Sequence, residues 1–168
     1  MWLSHFLGVA LPLLLLPTVA LFASATWGPA ALAGDYPADV RALMPEFSAA
    51  ERRRGTLLAT AFLVALVGAV FGATYTWIDG APASGFLQAY GMAFATLFAF
   101  CVIDLIFDWI VLCWWRPSWV VVRGTESAEG WGDYMFHDRE QLSPTGLAAM
   151  FGLPLVVAAA ATAVRALL

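Results

Sequence analysis

The sequence has no lysine and few charged residues of any kind. Charged side chains make up 12% of the 168 residues and hydrophobic side chains 62%, and the mean hydropathy is +0.81. A soluble domain of this length needs more polar surface than that, so the chain is predicted to lie in a lipid bilayer. The formal charge of −4 comes from twelve acids against eight arginines, a balance that excludes a nucleic-acid-binding surface.

Several signatures of chemistry are also missing. The sequence contains no Gly-x-Ser-x-Gly motif and no nucleotide-binding loop, and neither Cys101 nor Cys113 has a histidine close in sequence. On one helix the two thiols would lie about 18 Å apart along the axis, too far for an internal disulfide. Nucleophilic catalysis and nucleotide binding are therefore disfavoured, and the cysteines are predicted to be reduced.

Four apolar segments are present, each with the roughly 20 residues that cross a bilayer. They cover residues 6–27, 56–78, 86–115 and 145–165. Ser143 followed by Pro144 is typical of a helix start, and Ser48 with Glu51 has the spacing of a capping box. The sequence therefore predicts one all-α membrane domain over residues 1–168, a four-transmembrane-helix bundle with two polar cytoplasmic connectors.

The first apolar segment has one feature of a secretion signal. Ala23-Ser24-Ala25 imitates a cleavage site, but residues 1–5 contain no arginine or lysine, and the apolar stretch is longer than a signal core. We therefore expect a retained first span, bent at Pro12 and Pro17.

The arginines indicate the orientation. All except Arg165 lie in or beside the first connector, residues 28–55, and the third connector, residues 118–142. Because arginine-rich connectors stay on the cytoplasmic side, both termini are predicted to be extracytoplasmic. Abundant alanine, valine and arginine without lysine suggests a GC-rich bacterial source, so the predicted location is the bacterial cytoplasmic membrane.

The third span contains two acids, Asp104 and Asp108, and no other charged residue. On a helix they are separated by about 40° of rotation and 6 Å of rise, so they share one face. Carboxylates in a bilayer are costly and point to function. In a purely structural alternative, Asp108 lies at the interface or one of the acids pairs with Arg116 or Arg123.

The third connector is predicted to complete a site. Residues 119–122 are apolar, with three β-branched valines, and should fold back onto the membrane face, which would bring Glu126 and His137 beneath the two acids. Asp104, Asp108, Glu126 and His137 form an oxygen-rich set suited to Mg²⁺ or Mn²⁺. The same four residues are the candidate catalytic groups. Zinc is disfavoured because the cysteines lack ligand spacing.

Three elements of the sequence resemble a group of uncharacterised small bacterial integral membrane proteins. They are Asp104-x3-Asp108-Trp109, Gly124-Thr125-Glu126 and Asp133-Tyr134-x-Phe136-His137, and they lie within residues 104–137, about a fifth of the chain. The group has proline before the glycine, where this chain has Arg123. The resemblance implies a small membrane protein and no particular reaction.

Three functions fit these features. The first is a membrane enzyme acting on an amphiphilic or lipid-like substrate, with the acids as general acid/base or metal ligands. The second is a proton- or cation-coupled transport or channel component, as a homo-oligomer. The third is an accessory or assembly subunit of a membrane complex. Gly68 with Gly72, and Gly91 with Ala95, have the spacing of close helix packing and would serve that role.

Overall fold

The computed structural model describes residues 1–81 and 83–168, with the side chain of His137 outside the description. Four of the described helices are long and apolar enough to cross a membrane. In the numbering used below, with two short connector helices included, the helices are α1 (Trp2–Trp27), α2 (Ala38–Leu43), α3 (Ala49–Gly80), α4 (Phe86–Trp115), α5 (Tyr134–Gln141) and α6 (Pro144–Leu167). The predicted four-span helical bundle is confirmed.

The helix ends follow the local signals in the sequence. Ser48 and Glu51 form the predicted capping box at the start of α3. Residues 49–55 therefore belong to α3, and the first connector is shorter than predicted, covering residues 28–48. The Ser143 side chain accepts a hydrogen bond from the Gly146 N–H at the start of α6. Arg116, with φ at +47°, ends α4 in the left-handed conformation, and the third connector accordingly runs over residues 116–143.

Helix α1 is irregular in its first half. Residues Phe6–Ala10 form a π-helical turn, and the α-helical pattern breaks again at Leu14 before Leu15–Trp27. A proline supplies no backbone N–H, so Pro12 leaves a carbonyl one turn earlier without its usual partner. The irregular turns lie at the end of α1 away from the first connector.

Helix α3 packs against α1, α4 and α6, and α4 packs against α6. The buried core continues beyond the bundle into both long connectors. The connector side chains in this core are Tyr36, Val40, Val120, Val122, Ala128 and Trp131. The apolar 119–122 segment therefore folds back onto the bundle, as predicted, and the connectors form a packed cap over one end of it.

The close helix packing predicted at the glycine pairs occurs elsewhere. A Cβ placed at Gly68 or Gly91 would meet nothing within 4 Å, and one at Gly72 would meet only Leu13 Cδ1 at 3.6 Å. At Gly55, in contrast, a Cβ would lie 2.8 Å from the Ala31 backbone nitrogen. The tight contact is thus between α3 and the start of the first connector, because that connector turns back directly over the helix.

The two long connectors are fastened to each other. The Asp39 carboxylate accepts a hydrogen bond from the Gly130 N–H at 2.7 Å, and this bond holds the pKa of Asp39 below its usual value. The Tyr36 and Trp131 rings pack with centroids 5.1 Å apart, and the Trp131 indole donates to the Thr125 carbonyl at 3.0 Å. These contacts fix the position of residues 35–36 against the end of α4.

Candidate functional site

The two acids of α4 face the connector cap. Asp108 is buried, with 7% of its surface exposed, and Asp104 is half-buried. The Gln141 side-chain amide of α5 donates to Asp104 Oδ2 at 3.4 Å. The two acids therefore lie on a face of α4 that meets the third connector at Gln141.

A cavity of about 490 Å³ lies where α4 meets the first connector, α5 and the start of α6. We call it the acid chamber. Its lining residues are Gly34, Asp35, Arg41, Asp104, Asp108, Phe136, Glu140, Gln141 and Gly146. Four of these carry carboxyl groups and one carries a guanidinium, so the ionised chamber has an excess of negative charge.

A second cavity, of about 160 Å³, adjoins the acid chamber. We call it the inner compartment. It shares Asp35, Asp104 and Asp108 with the chamber, and its remaining lining residues are Leu21, Leu32, Tyr36, Phe62, Phe107 and Leu112. The three acids therefore stand at the boundary between a polar space and a mostly apolar one.

Tyr36 is the most unusual polar group of this region. Its side chain is 2% exposed, and its hydroxyl has no hydrogen-bond partner among the described residues. Burial raises the pKa of the phenol, and the nearby carboxyls of Asp35 and Asp108 raise it further, so the group stays neutral. An unsatisfied buried hydroxyl costs about 1–3 kcal/mol, which a suitable ligand in the inner compartment would recover.

Asp35 extends the acidic surface from the first connector. The residue as a whole is exposed, but its carboxyl is partly buried in the wall of the acid chamber. This partial burial raises the pKa of Asp35, and the Glu140 carboxyl raises it further. The carboxyls therefore act on one another across the chamber although they come from three separate parts of the chain.

The other predicted site residues lie elsewhere or outside the description. Glu126 is exposed, and its carboxylate accepts a hydrogen bond from the Gly124 N–H at 2.9 Å. Its own N–H and that of Gly124 lower the pKa of Glu126, and it does not belong to the described chamber lining. The backbone of His137 lies in α5, but its side chain lies outside the described residues.

The predicted metal centre is not assembled by the side chains that the structure describes. Within residues 1–81 and 83–168, leaving aside the His137 side chain, no three His, Cys, Asp or Glu side chains are grouped closely enough to hold a metal ion. Glu126 is held in its own turn by the Gly124 N–H and is not among the described lining residues of the chamber. Arg116 is one of the two arginines that the sequence suggested as partners of the α4 acids. Its side chain donates a hydrogen bond to the Cys113 carbonyl at 2.7 Å.

The lining residues with charged or amide side chains that the sequence did not predict are Asp35, Arg41, Glu140 and Gln141. One signal was available for α5. Asp133 precedes it, and the Asp133 side chain accepts a hydrogen bond from the Met135 N–H as a helix cap. Residues 136 and 140 are four apart and so lie on one helix face. Asp35 had no such local signal, because the contact joins residues about 70 positions apart.

Comparison of the chain with protein-family models, curated proteins and solved structures finds no match. The fold and the site define a four-span helical membrane protein with an acidic chamber beneath a packed connector cap. The chemistry of that chamber is therefore the basis for a function.

Proposed function

We propose that the protein binds an organic cation that carries an ammonium group, and that the acid chamber is its binding site. The observation that carries the proposal is the convergence of Asp35, Asp104, Asp108 and Glu140 on one cavity with a single guanidinium. Carboxylates accept hydrogen bonds from an ammonium group, which has three N–H donors. Such charge-assisted bonds are stronger than those between neutral groups.

The size of the chamber supports an organic ligand over a bare metal ion. Its volume of about 490 Å³ is within the roughly 300–1,000 Å³ typical of small-molecule pockets. A metal ion needs several oxygen ligands within about 2.0–2.6 Å of one point, and the described acids are not grouped in that way. An ammonium group needs only one to three acceptors at about 2.7–2.9 Å, so it can bond to the nearest acids while the others act on it through their charge.

The location in the membrane is part of the proposal. The arginine-rich connectors favour the cytoplasmic side of a bacterial inner membrane for the cap, with both termini on the other side. The chamber then receives its ligand from the cytoplasm or the inner leaflet. Binding of this kind is the first step both of a transporter and of an enzyme acting on an amphiphilic substrate.

Ethylammonium titrations test the proposal. We expect saturable binding to the detergent-purified chain, followed by ligand-observed NMR, and no comparable binding of the neutral analogue propanol. Arg41→Gln removes the cation of the chamber wall and should tighten ethylammonium binding about fivefold, since one nearby charge contributes about 1 kcal/mol near a protein surface. Arg165→Gln, at the far end of α6, is the charge-matched control and should leave the affinity unchanged.

Three results would overturn the proposal. One is the absence of saturable ethylammonium binding. Another is the same change of affinity in Arg41→Gln and Arg165→Gln, which would mean that only the net charge matters. The third is displacement of ethylammonium by stoichiometric Mg²⁺, which would assign the chamber to a metal ion.

A further inference from the structure

The inner compartment gives the acid chamber a second, apolar half. Three acids line both spaces, so a ligand held by its ammonium group at Asp104 stands at the entrance to the inner compartment. Beyond that entrance the walls are leucine and phenylalanine side chains from α1, α3, α4 and the first connector. A small, strongly hydrated cation would leave this apolar space unused.

We propose that the ligand is an amphiphilic amine, with its ammonium group among the acids and a short hydrocarbon segment in the inner compartment. This inference rests on the proposed function, because it names the ligand class of the same site. The Tyr36 oxygen accepts one of the ammonium N–H groups, and the hydrocarbon segment lies against Leu32, Phe62 and Leu112.

The Tyr36 hydroxyl is the observation that points to a ligand independently of the acids. It is buried, lacks a partner among the described residues, and lines the inner compartment next to the shared carboxyls. Buried hydroxyls in proteins nearly always have a hydrogen-bond partner. An ammonium group at the boundary donates to the phenol oxygen while its charge stays beside the carboxyls.

The volume of the inner compartment sets the length of the hydrocarbon segment. A volume of about 160 Å³ corresponds to about five groups the size of a water molecule, at roughly 30 Å³ each. A methylene group is of similar size. The compartment therefore accommodates the outer part of a hexyl chain and is too small for the whole of an octyl chain.

An alkylammonium series tests the inference. From ethyl through butyl to hexylammonium, the affinity for the full chain should rise about fourfold with each methylene, on the order of 200-fold in total. Octylammonium should bind no more tightly than hexylammonium, because the compartment is then full. Partition of the amines into detergent micelles would instead continue to rise with chain length. A plateau at hexylammonium therefore distinguishes binding in the inner compartment from partition into micelles.

Two variants test whether the gain of affinity with chain length comes from the inner compartment. Leu32→Phe partly fills it and should remove most of the gain with chain length, and a monodisperse peak in size-exclusion chromatography shows that the variant is folded. Tyr36→Phe keeps the ring and removes the hydroxyl. It should weaken all members of the series by a similar factor, at least about tenfold, because a hydrogen bond to a charged group contributes about 1.5–3 kcal/mol.

The outcomes separate this inference from the proposed function. If ethylammonium binds but hexylammonium binds no more tightly, the amphiphile is excluded while the cation site stands. If the affinity rises equally in the parent and in Leu32→Phe and continues to octylammonium, the gain comes from the micelle and the inference fails. If ethylammonium does not bind at all, the proposed function itself fails.

Discussion

Replacing Asp104 and Asp108 together with asparagine is expected to weaken ethylammonium binding at least 100-fold. Hydrogen bonds to a charged group contribute about 1.5–3 kcal/mol each, so two lost carboxylates correspond to about 3–6 kcal/mol. Asparagine keeps the size and polarity of the side chains, so the bundle should remain intact. NMR titration gives the affinity, and size-exclusion chromatography shows whether the variant is folded.

Glu126→Gln is the matched control for this double variant. It removes the same charge from an acid that the sequence also suggested as a site residue, but whose carboxylate is bonded to the Gly124 N–H outside the chamber. We expect parent-like affinity from it. Parent-like affinity of the Asp104→Asn/Asp108→Asn protein, or an equal loss in Glu126→Gln, would contradict the assignment of the chamber.

Replacing Gly55 with valine is expected to have the largest effect on stability. Its Cβ would lie 2.8 Å from the Ala31 nitrogen and 3.2 Å from the Ala30 carbonyl carbon, and backbone atoms cannot yield as a flexible side chain can. Overpacking of this kind costs about 1–3 kcal/mol. The first connector would also be pushed away from α3, displacing Asp35 and Tyr36, so ethylammonium affinity should fall as well.

Gly68→Val is the control that distinguishes a loss of stability specific to position 55 from a general effect of valine in this helix. Gly68 is on the same helix, and its Cβ position meets nothing within 4 Å, so we expect a shift of less than about 1 kcal/mol from helix propensity. Thermal unfolding in detergent measures the stability of both variants. Equal destabilisation by the two would show that the contact between α3 and the connector is not tight.

The four spans were predictable because their signals are local. An apolar run of sufficient length specifies a spanning helix by itself, and the caps at Ser48 and Ser143 depend on residues within one turn. The common face of Asp104 and Asp108 follows from helix geometry alone. These features needed no knowledge of what lies opposite each helix.

The composition of the chamber was not predictable, because it depends on contacts between distant parts of the chain. Asp35 reaches the α4 acids only because the two long connectors pack together through Asp39 and Gly130. Glu126 was placed in the site because the fold-back of residues 119–122 was expected to bring it beneath the two acids. Its carboxylate instead bonds the backbone two residues away, a local alternative that short acidic motifs often adopt.

The prediction of close helix packing at the glycine pairs was wrong for a related reason. Residues four apart on α3 share a face, but the sequence does not say whether that face meets another helix. The close approach at Gly55 involves Ala30 and Ala31, which are more than twenty positions earlier and belong to an irregular segment. Spacing within one helix cannot identify such a contact.

A double-mutant cycle on Asp35 and Asp104 tests the central claim, that acids from the first connector and from α4 hold one cation together. Ethylammonium affinity would be measured for the parent, Asp35→Asn, Asp104→Asn and the double variant. If one chamber is shared, the loss in the double variant differs from the sum of the single losses by more than about 0.5 kcal/mol. Losses that add within that margin, or no loss in Asp35→Asn, would contradict it.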